Sequence, residues 1–291
     1  MKELAKVLHG WQSEYGKSIA SVLYSDIGKE YYSKLDWLTR PGNCHFVFPS
    51  VEMEQPALAR LIPESELQSL CRRDEFMIRK GMATPSTIRK HMMILPDLDH
   101  MLWHIRKEDF AVNYIFGKKA EAKGAIAGNP GKKVWAIWVR RYYEHPNHSE
   151  NEEEDGGNCL YILRLVVEGH DTANRPHDGQ LPPATDAYVD QAIALKAVLQ
   201  AALAEAAKWS LRHVQLWKPS LLVQSFIRQG DFDVTQVERQ ERSIASVLWF
   251  KEAGDGAEEA PAWVSNEHYA WCWGGPEQAP LPAFCFPSLY G

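Results

Sequence analysis

The run Ser21-Val-Leu-Tyr-Ser-Asp-Ile-Gly-Lys-Glu-Tyr-Tyr-Ser-Lys-Leu-Asp-Trp37 decides the fold. Its first part belongs to Ile19-Ala-Ser-Val-Leu-Tyr24, a β-rich stretch that reads as a buried strand. Ser25 and Asp26 then offer an N-cap, and Ile27 to Leu35 reads as a helix with tyrosine on one face. Upstream, Leu4, Val7, Leu8 and Trp11 repeat at helical spacing, so Met1 to Glu14 reads as an amphipathic helix and the chain begins inside an element. Downstream, Cys44-His-Phe-Val-Phe48 reads as a second strand, closed by Pro49. Helix, strand, helix, strand is the alternation of α/β packing.

The remainder extends that class. Ser65 to Lys80 and Leu98 to Phe110 read as helices, separated by a break at Thr84 to Ile88, and Gly117 to Gly131 reads as a loop. Val134 to Tyr143 and Leu160 to Val167 read as an antiparallel hairpin, with the acidic run Glu150 to Gly157 at its solvated tip. Gly169 to Pro183 reads as a loop. Asp186 to Trp209 is the clearest helix, with Leu195, Val198, Leu199, Ala202, Ala206 and Trp209 in one stripe. His213 to Trp217 reads as a strand, Ser220 to Arg228 as a short helix and Ile244 to Phe250 as a strand, before an irregular tail from Gly254. This closing order of helix, strand, helix and strand repeats that of residues 1–48 without sequence identity, which suggests a structural duplication.

Composition excludes several functions. A chain of 291 residues with 45% apolar residues buries a sizeable core. A net charge of -6 disfavours nucleic acid as a partner. No apolar run reaches the ~18 residues of a membrane helix, and no apolar leader follows Met1. Cys44, Cys71, Cys159, Cys272 and Cys285 are odd in number and widely spaced, without C-x-x-C, so buried thiols in a reducing, cytoplasmic compartment are expected. His100 and His104 stand at i, i+4 near Asp97, a spacing that a metal could use and that structural histidines also adopt. No metal is expected. Arg72, Arg73, Arg79, Lys80, Arg89 and Lys90 form a basic stretch that could meet phosphates or serve as a solvated face. No G-x-S-x-G elbow accompanies the serines.

The opening run resembles the N-x-x-A-x-x-x-Y-x-x-x-G-[FW] motif of GNAT acyltransferases. Ser25 stands at its Asn position, Gly28 at its small position, Tyr32 at its Tyr and Trp37 at its aromatic residue. Asp36 replaces the usual Gly, and Asp tolerates the left-handed turn better than most residues. The resemblance implies that Tyr32 acts as general acid on a departing CoA thiolate, while Ser25 and Gly28 lie on the cofactor side. Packing alone would also account for Tyr31 and Tyr32.

Further segments widen the match. Leu95-Pro-Asp with Trp103, His104 and Phe110, then Trp135-Ala-Ile-Trp138, Leu160 to Glu168 and Trp263 to Trp271, look like the fungal lysine acetyltransferase family of the GNAT superfamily. That resemblance implies a partial GNAT-like N-terminal unit over residues 1–50, a connecting helical region over 51–130 and a GNAT-like C-terminal domain over 131–291. It implies acetyl-CoA as acyl donor and a small amine as acceptor, by resemblance the side-chain amine of free L-lysine in lysine degradation. The family's R/Q-x-x-G-x-G/A pyrophosphate loop, which binds through backbone N–H groups at a helix N-terminus, does not occur in a strand-to-helix context. The expectation is an N-terminally truncated member. The alternative is a catalytically inactive binding or interaction module.

Overall fold

The computed structural model describes residues 2–8, 10, 18–39, 44–83, 91–146, 157–169, 186–238, 243–250 and 262–263. The break at 84–88, most of the acidic tip at 150–157, most of the loop at 169–183 and nearly all of the tail lie outside the described residues.

The first five elements are α1 (Lys2–Leu8), β1 (Ala20–Ser25), α2 (Lys29–Ser33), β2 (Leu38–Thr39) and β3 (Cys44–Pro49). Next come β4 (Ala59–Pro63), α3 (Leu67–Ala83, entered through a 3-10 turn at Glu64–Glu66), β5 (His91–Met92) and α4 (Leu98–Phe116). They lead to β6 (Ala122–Ala127), β7 (Val134–Arg141), β8 (Cys159–Val167) and α5 (Asp186–Lys208). The chain continues through β9 (His213–Trp217), α6 (Leu221–Gln229), β10 (Thr235–Glu238), β11 (Ile244–Trp249) and β12 (Ala262–Trp263).

The expected helix at Ile27–Leu35 shrinks to five residues, because Gly28 at φ 85 precedes it and Asp36 at φ 70 follows it. The expected loop at Gly117–Gly131 is corrected more sharply. It contains β6, whose six residues are all buried. Strands β4 and β10 also appear where no strand is expected.

Seven strands form a mixed sheet in the order β10-β3-β9-β8-β7-β6-β4, in which only β8 and β9 run parallel. A second sheet has the order β1-β11-β2, antiparallel throughout. These pairings reveal the suspected duplication with one change. The series α1-β1-α2-β2-β3 and α5-β9-α6-β10-β11 have the same order. Each gives its last strand to the other: β11 lies between β1 and β2, and β3 lies between β9 and β10. Two strand-helix-strand modules are thus completed by reciprocal exchange. The seven-stranded sheet therefore takes β3, β4 and β6 from before residue 131, and the small sheet takes β11 from after it.

Both faces of the large sheet are covered, so its central strands are apolar on both sides. Val134, Ala136 and Trp138 pack with the α5 stripe, including Leu195, Val198, Leu199 and Ala202. Trp135, Ile137 and Val139 pack with Leu67 and Leu70 of α3 and Met101 and Ile105 of α4. The β7–β8 register slips between Ile137 and Trp138, a bulge that leaves Leu163 opposite no residue. Beside it, Arg164 sends both Nε and Nη2 to Asp74 of α3, at 2.7 and 2.9 Å, with both side chains buried. The pair is bidentate, so each partner satisfies the other's buried charge.

Gly124 marks the closest approach of β6 and β7. A Cβ there would stand 2.2 Å from the Ala136 carbonyl oxygen. Gly124→Ala is expected to destabilise the protein by about 3 kcal/mol, the upper end for overpacking, because the obstacle is backbone. A shift in the denaturant midpoint at constant slope checks it.

A chain of buried ions joins the helices to the sheet. Glu108 of α4 accepts from Lys123 Nζ at 2.7 Å, from Arg140 Nη1 at 2.6 Å and from the Arg140 backbone N–H at 2.8 Å. Arg140 Nη2 donates to Glu205 of α5 at 2.5 Å. Burial opposes the charge of Arg140, but Glu108 and Glu205 outweigh it and raise its pKa. Burial likewise opposes ionisation of Asp109, yet Lys123 and Arg106 hold its carboxyl below the ordinary value. The hydrogen bond from Arg106 does the same for Glu64. Carboxyls depressed in the folded state contribute stability above their unfolded pKa values, about 4, and lose it as pH falls through the folded values. The unfolding free energy is expected to decline below about pH 4, and Asp109→Asn is expected to flatten that decline. Denaturant titrations across acid pH measure both.

Candidate active site

Strand β1 ends at Ser25, which is buried and pairs with Ile244 of β11. Its Oγ accepts from the Ile27 backbone N–H at 3.1 Å and turns the chain toward α2. The next side chain ties this turn to the exchanged strand, since Asp26 Oδ1 accepts from the Ser243 N–H at 2.7 Å. Ser243 has φ 50 and leads directly into β11. Among the described residues nothing lies within 4 Å of the position a Cβ would take on Gly28. The constraint on Gly28 is therefore its positive φ rather than crowding.

Tyr32 is half-buried in α2. Its ring meets Tyr31 edge-on at 5.0 Å and Trp37 at 6.5 Å. Its carbonyl accepts from both Leu35 and Trp37 at 3.0 Å, and its hydroxyl makes no hydrogen bond to a described residue. Tyr31 is exposed. Asp36 adopts the left-handed turn expected at the Gly position of the motif. Trp37, 1% exposed, donates from Nε1 to Ser21 Oγ at 3.3 Å and anchors the α2 turn on β1. The structure thus gathers Ser25, Gly28 and Tyr32 on one strand-to-helix turn. Asp26 belongs to the same turn, and Ser243 meets it from the start of β11. Sequence reading missed that pair, because its only signal is an Asp beside a strand end.

The second module carries a related strand-to-helix connection in which both Gly28 and Tyr32 are replaced, Gly28 by Val223 inside α6. At one constant offset Ser25 stands against Ser220, Tyr32 against Ile227, Asp36 against Asp231 and Trp37 against Phe232. Ser220 caps α6 by accepting from the Val223 N–H at 3.3 Å. Asp231 repeats the positive φ, at 53. Phe232 packs edge-on against Phe48 of the exchanged β3 at 5.7 Å. Ile227, 1% exposed, replaces the tyrosine, so no phenol is available there.

Several other sequence candidates make structural contacts. Asp97 caps α4, accepting from the His100 N–H at 2.9 Å and facing His100 Nδ1 at 2.7 Å, and His104 is buried. Burial works against the Asp97 charge, but the hydrogen bonds from His100 keep its carboxyl below the ordinary value. Among the described residues no three His, Cys, Asp or Glu side chains converge on a metal position. Within the basic stretch, Arg73 pairs with Glu168 and Arg79 with Glu75, while Arg89 and Lys90 lie outside the described residues. Cys44, Cys71 and Cys159 are buried and form no disulfide among the described residues. Burial pushes the Cys71 thiol up to about 12, which makes it a poor nucleophile. No described helix is long and apolar enough to cross a membrane.

The family model described as the LYC1 GNAT-like C-terminal domain matches residues 45–272. No curated protein matches the chain.

Proposed function

The chain belongs to the LYC1 GNAT-like C-terminal domain family, and from that membership we propose that it serves an acetyl-CoA-dependent N-acetyltransferase acting on a small amine. By resemblance the acceptor is the side-chain amine of free L-lysine, and the setting is cytoplasmic lysine degradation. The fold is GNAT-like, an acyltransferase-type α/β architecture with a mixed sheet.

One contrast carries the reading. The first module presents a half-buried tyrosine with an uncommitted hydroxyl beside a glycine turn, and the second presents a buried isoleucine at the same place. The chemistry is therefore assigned to the first module, with Ser25 and Gly28 on the acetyl-CoA side and Tyr32 as general acid. The amine nitrogen attacks the thioester carbonyl, the new C–N bond forms and the C–S bond breaks. The Tyr32 phenol protonates the departing thiolate, the amine gives its proton to solvent, and solvent reprotonates the Tyr32 phenolate. The second module, with no acid group, serves as scaffold.

A second reading rests on the absence of R/Q-x-x-G-x-G/A from the sequence. A chain without that cradle lacks several charge-assisted hydrogen bonds, each worth about 1.5–3 kcal/mol. It would act as an inactive interaction module. Titration calorimetry with acetyl-CoA, followed by a thiol-release assay with L-lysine, separates the two. Micromolar binding with lysine-dependent CoA release supports the transferase. No binding to this 291-residue chain overturns it in favour of the interaction module.

A further inference from the structure

The seven-stranded sheet ends at β4, and a cavity of about 510 Å³ lies beside that edge, within the size range of small-molecule sites. Leu61 on β4, Phe116 at the end of α4 and Trp209 just after α5 give it apolar walls, with the two aromatic rings edge-to-face at 5.4 Å. Glu205 and Lys118 also line it. Glu205 is 4% exposed. Its Oε1 is saturated by Arg140 Nη2 at 2.5 Å and Trp209 Nε1 at 2.7 Å. Its Oε2 receives no hydrogen bond from a described residue; the Lys208 ammonium stands 3.7 Å away, beyond hydrogen-bond reach. That oxygen lines the cavity, where a donor from a ligand can replace water. Of the other lining charges, Lys119 pairs with Glu64, Lys208 forms only the long ion pair to Glu205 Oε2, and Glu121 adds an exposed carboxylate. Lys118 is exposed and forms no ion pair with a described residue.

We propose that this cavity binds a small zwitterionic amino acid with an apolar side chain. Its ammonium donates to Glu205 Oε2, its carboxylate meets Lys118, and its side chain lies against Phe116 and Trp209. The site does not depend on the transferase reading: in the sheet it occupies the edge opposite β10, beyond which lies none of the first module's strands.

Calorimetry on the full chain tests this with L-leucine, chosen because it is not the proposed acyl acceptor. L-Leucine is expected to bind. 4-Methylpentanoate and leucine methyl ester each lack one of the two charges and are expected to bind at least about tenfold more weakly, the loss of one charge-assisted contact. Lys118→Glu is expected to weaken leucine binding by about tenfold or more, and Lys118→Arg to retain it. Because Lys118 is exposed, neither variant threatens the fold, and Lys80→Glu on α3 is the control that leaves binding unchanged. No binding of leucine, equal binding of the three probes, or leucine binding indifferent to Lys118→Glu would each overturn the proposal.

Discussion

Glu108→Ala is expected to cost about 3–5 kcal/mol, the penalty for leaving buried charges without their partner. Glu108 accepts from Lys123 through Oε2 and from the Arg140 side chain and backbone through Oε1. All three side chains are essentially inaccessible to water. Truncation leaves Arg140 with Glu205 and the Ala122 carbonyl, and Lys123 with Asp109. Two cations would then share two carboxylates in a space too small for full hydration. Such a loss is comparable to the whole stability of many domains, so the variant is expected to unfold at low denaturant or to accumulate poorly. Chemical denaturation measures it.

A double-mutant cycle separates the Glu108–Lys123 contact from the rest of the network. Lys123→Met should also destabilise, but Glu108→Ala with Lys123→Met should cost less than the two single losses together, because the second change removes one of the stranded charges. Additive losses would show that the two side chains do not interact across α4 and β6. Exposed pairs are not expected to behave this way. Lys6–Glu3 and Lys34–Glu30 lie on the solvent side of their helices, where opening an ion pair changes stability by under about 1 kcal/mol.

The same cluster explains what was legible in the sequence. Strands β1, β3, β7, β8 and β9 announce themselves through runs of β-branched and aromatic residues. Strand β6, Ala-Lys-Gly-Ala-Ile-Ala, carries a charge and a glycine and one β-branched residue. It reads as loop because its lysine is neutralised by residues of α4 and its glycine is required by the approach of β7. Both causes are tertiary, so no local pattern reports them. The duplicated element order was visible, because each module keeps its own periodicities. The exchange of β3 and β11 was not, since it concerns which strand pairs with which across about two hundred residues of chain. At the candidate site, Ser25, Gly28 and Tyr32 were legible as a spacing, and the positive φ of Asp36 followed from the motif. The contact from Asp26 to Ser243 was not legible, because β11 is where it acts.

Tyr32→Phe is the substitution on which the proposed chemistry turns. If the phenol protonates the leaving thiolate, its loss should lower kcat for lysine-dependent CoA release by about 10²–10⁴-fold. The affinity for acetyl-CoA should change little, since the hydroxyl acts on charge that develops only as the C–S bond breaks. Phe keeps the ring that meets Tyr31 and Trp37, and the hydroxyl it removes bonds to no described residue. The melting temperature should therefore stay within a degree or two of wild type, which separates a chemical role from packing. Tyr31→Phe supplies the comparison on the same helix; its exposed ring should leave kcat unchanged. Ile227 defines the other limit. Its module has kept the capping serine, the left-handed aspartate and the following aromatic residue but carries an alkyl group where the acid would stand. A Tyr32→Ile variant would give the first module the same group and should abolish turnover. Because it removes the ring as well, it should also lower stability by loosening the packing over Trp37, an effect the Phe variant avoids.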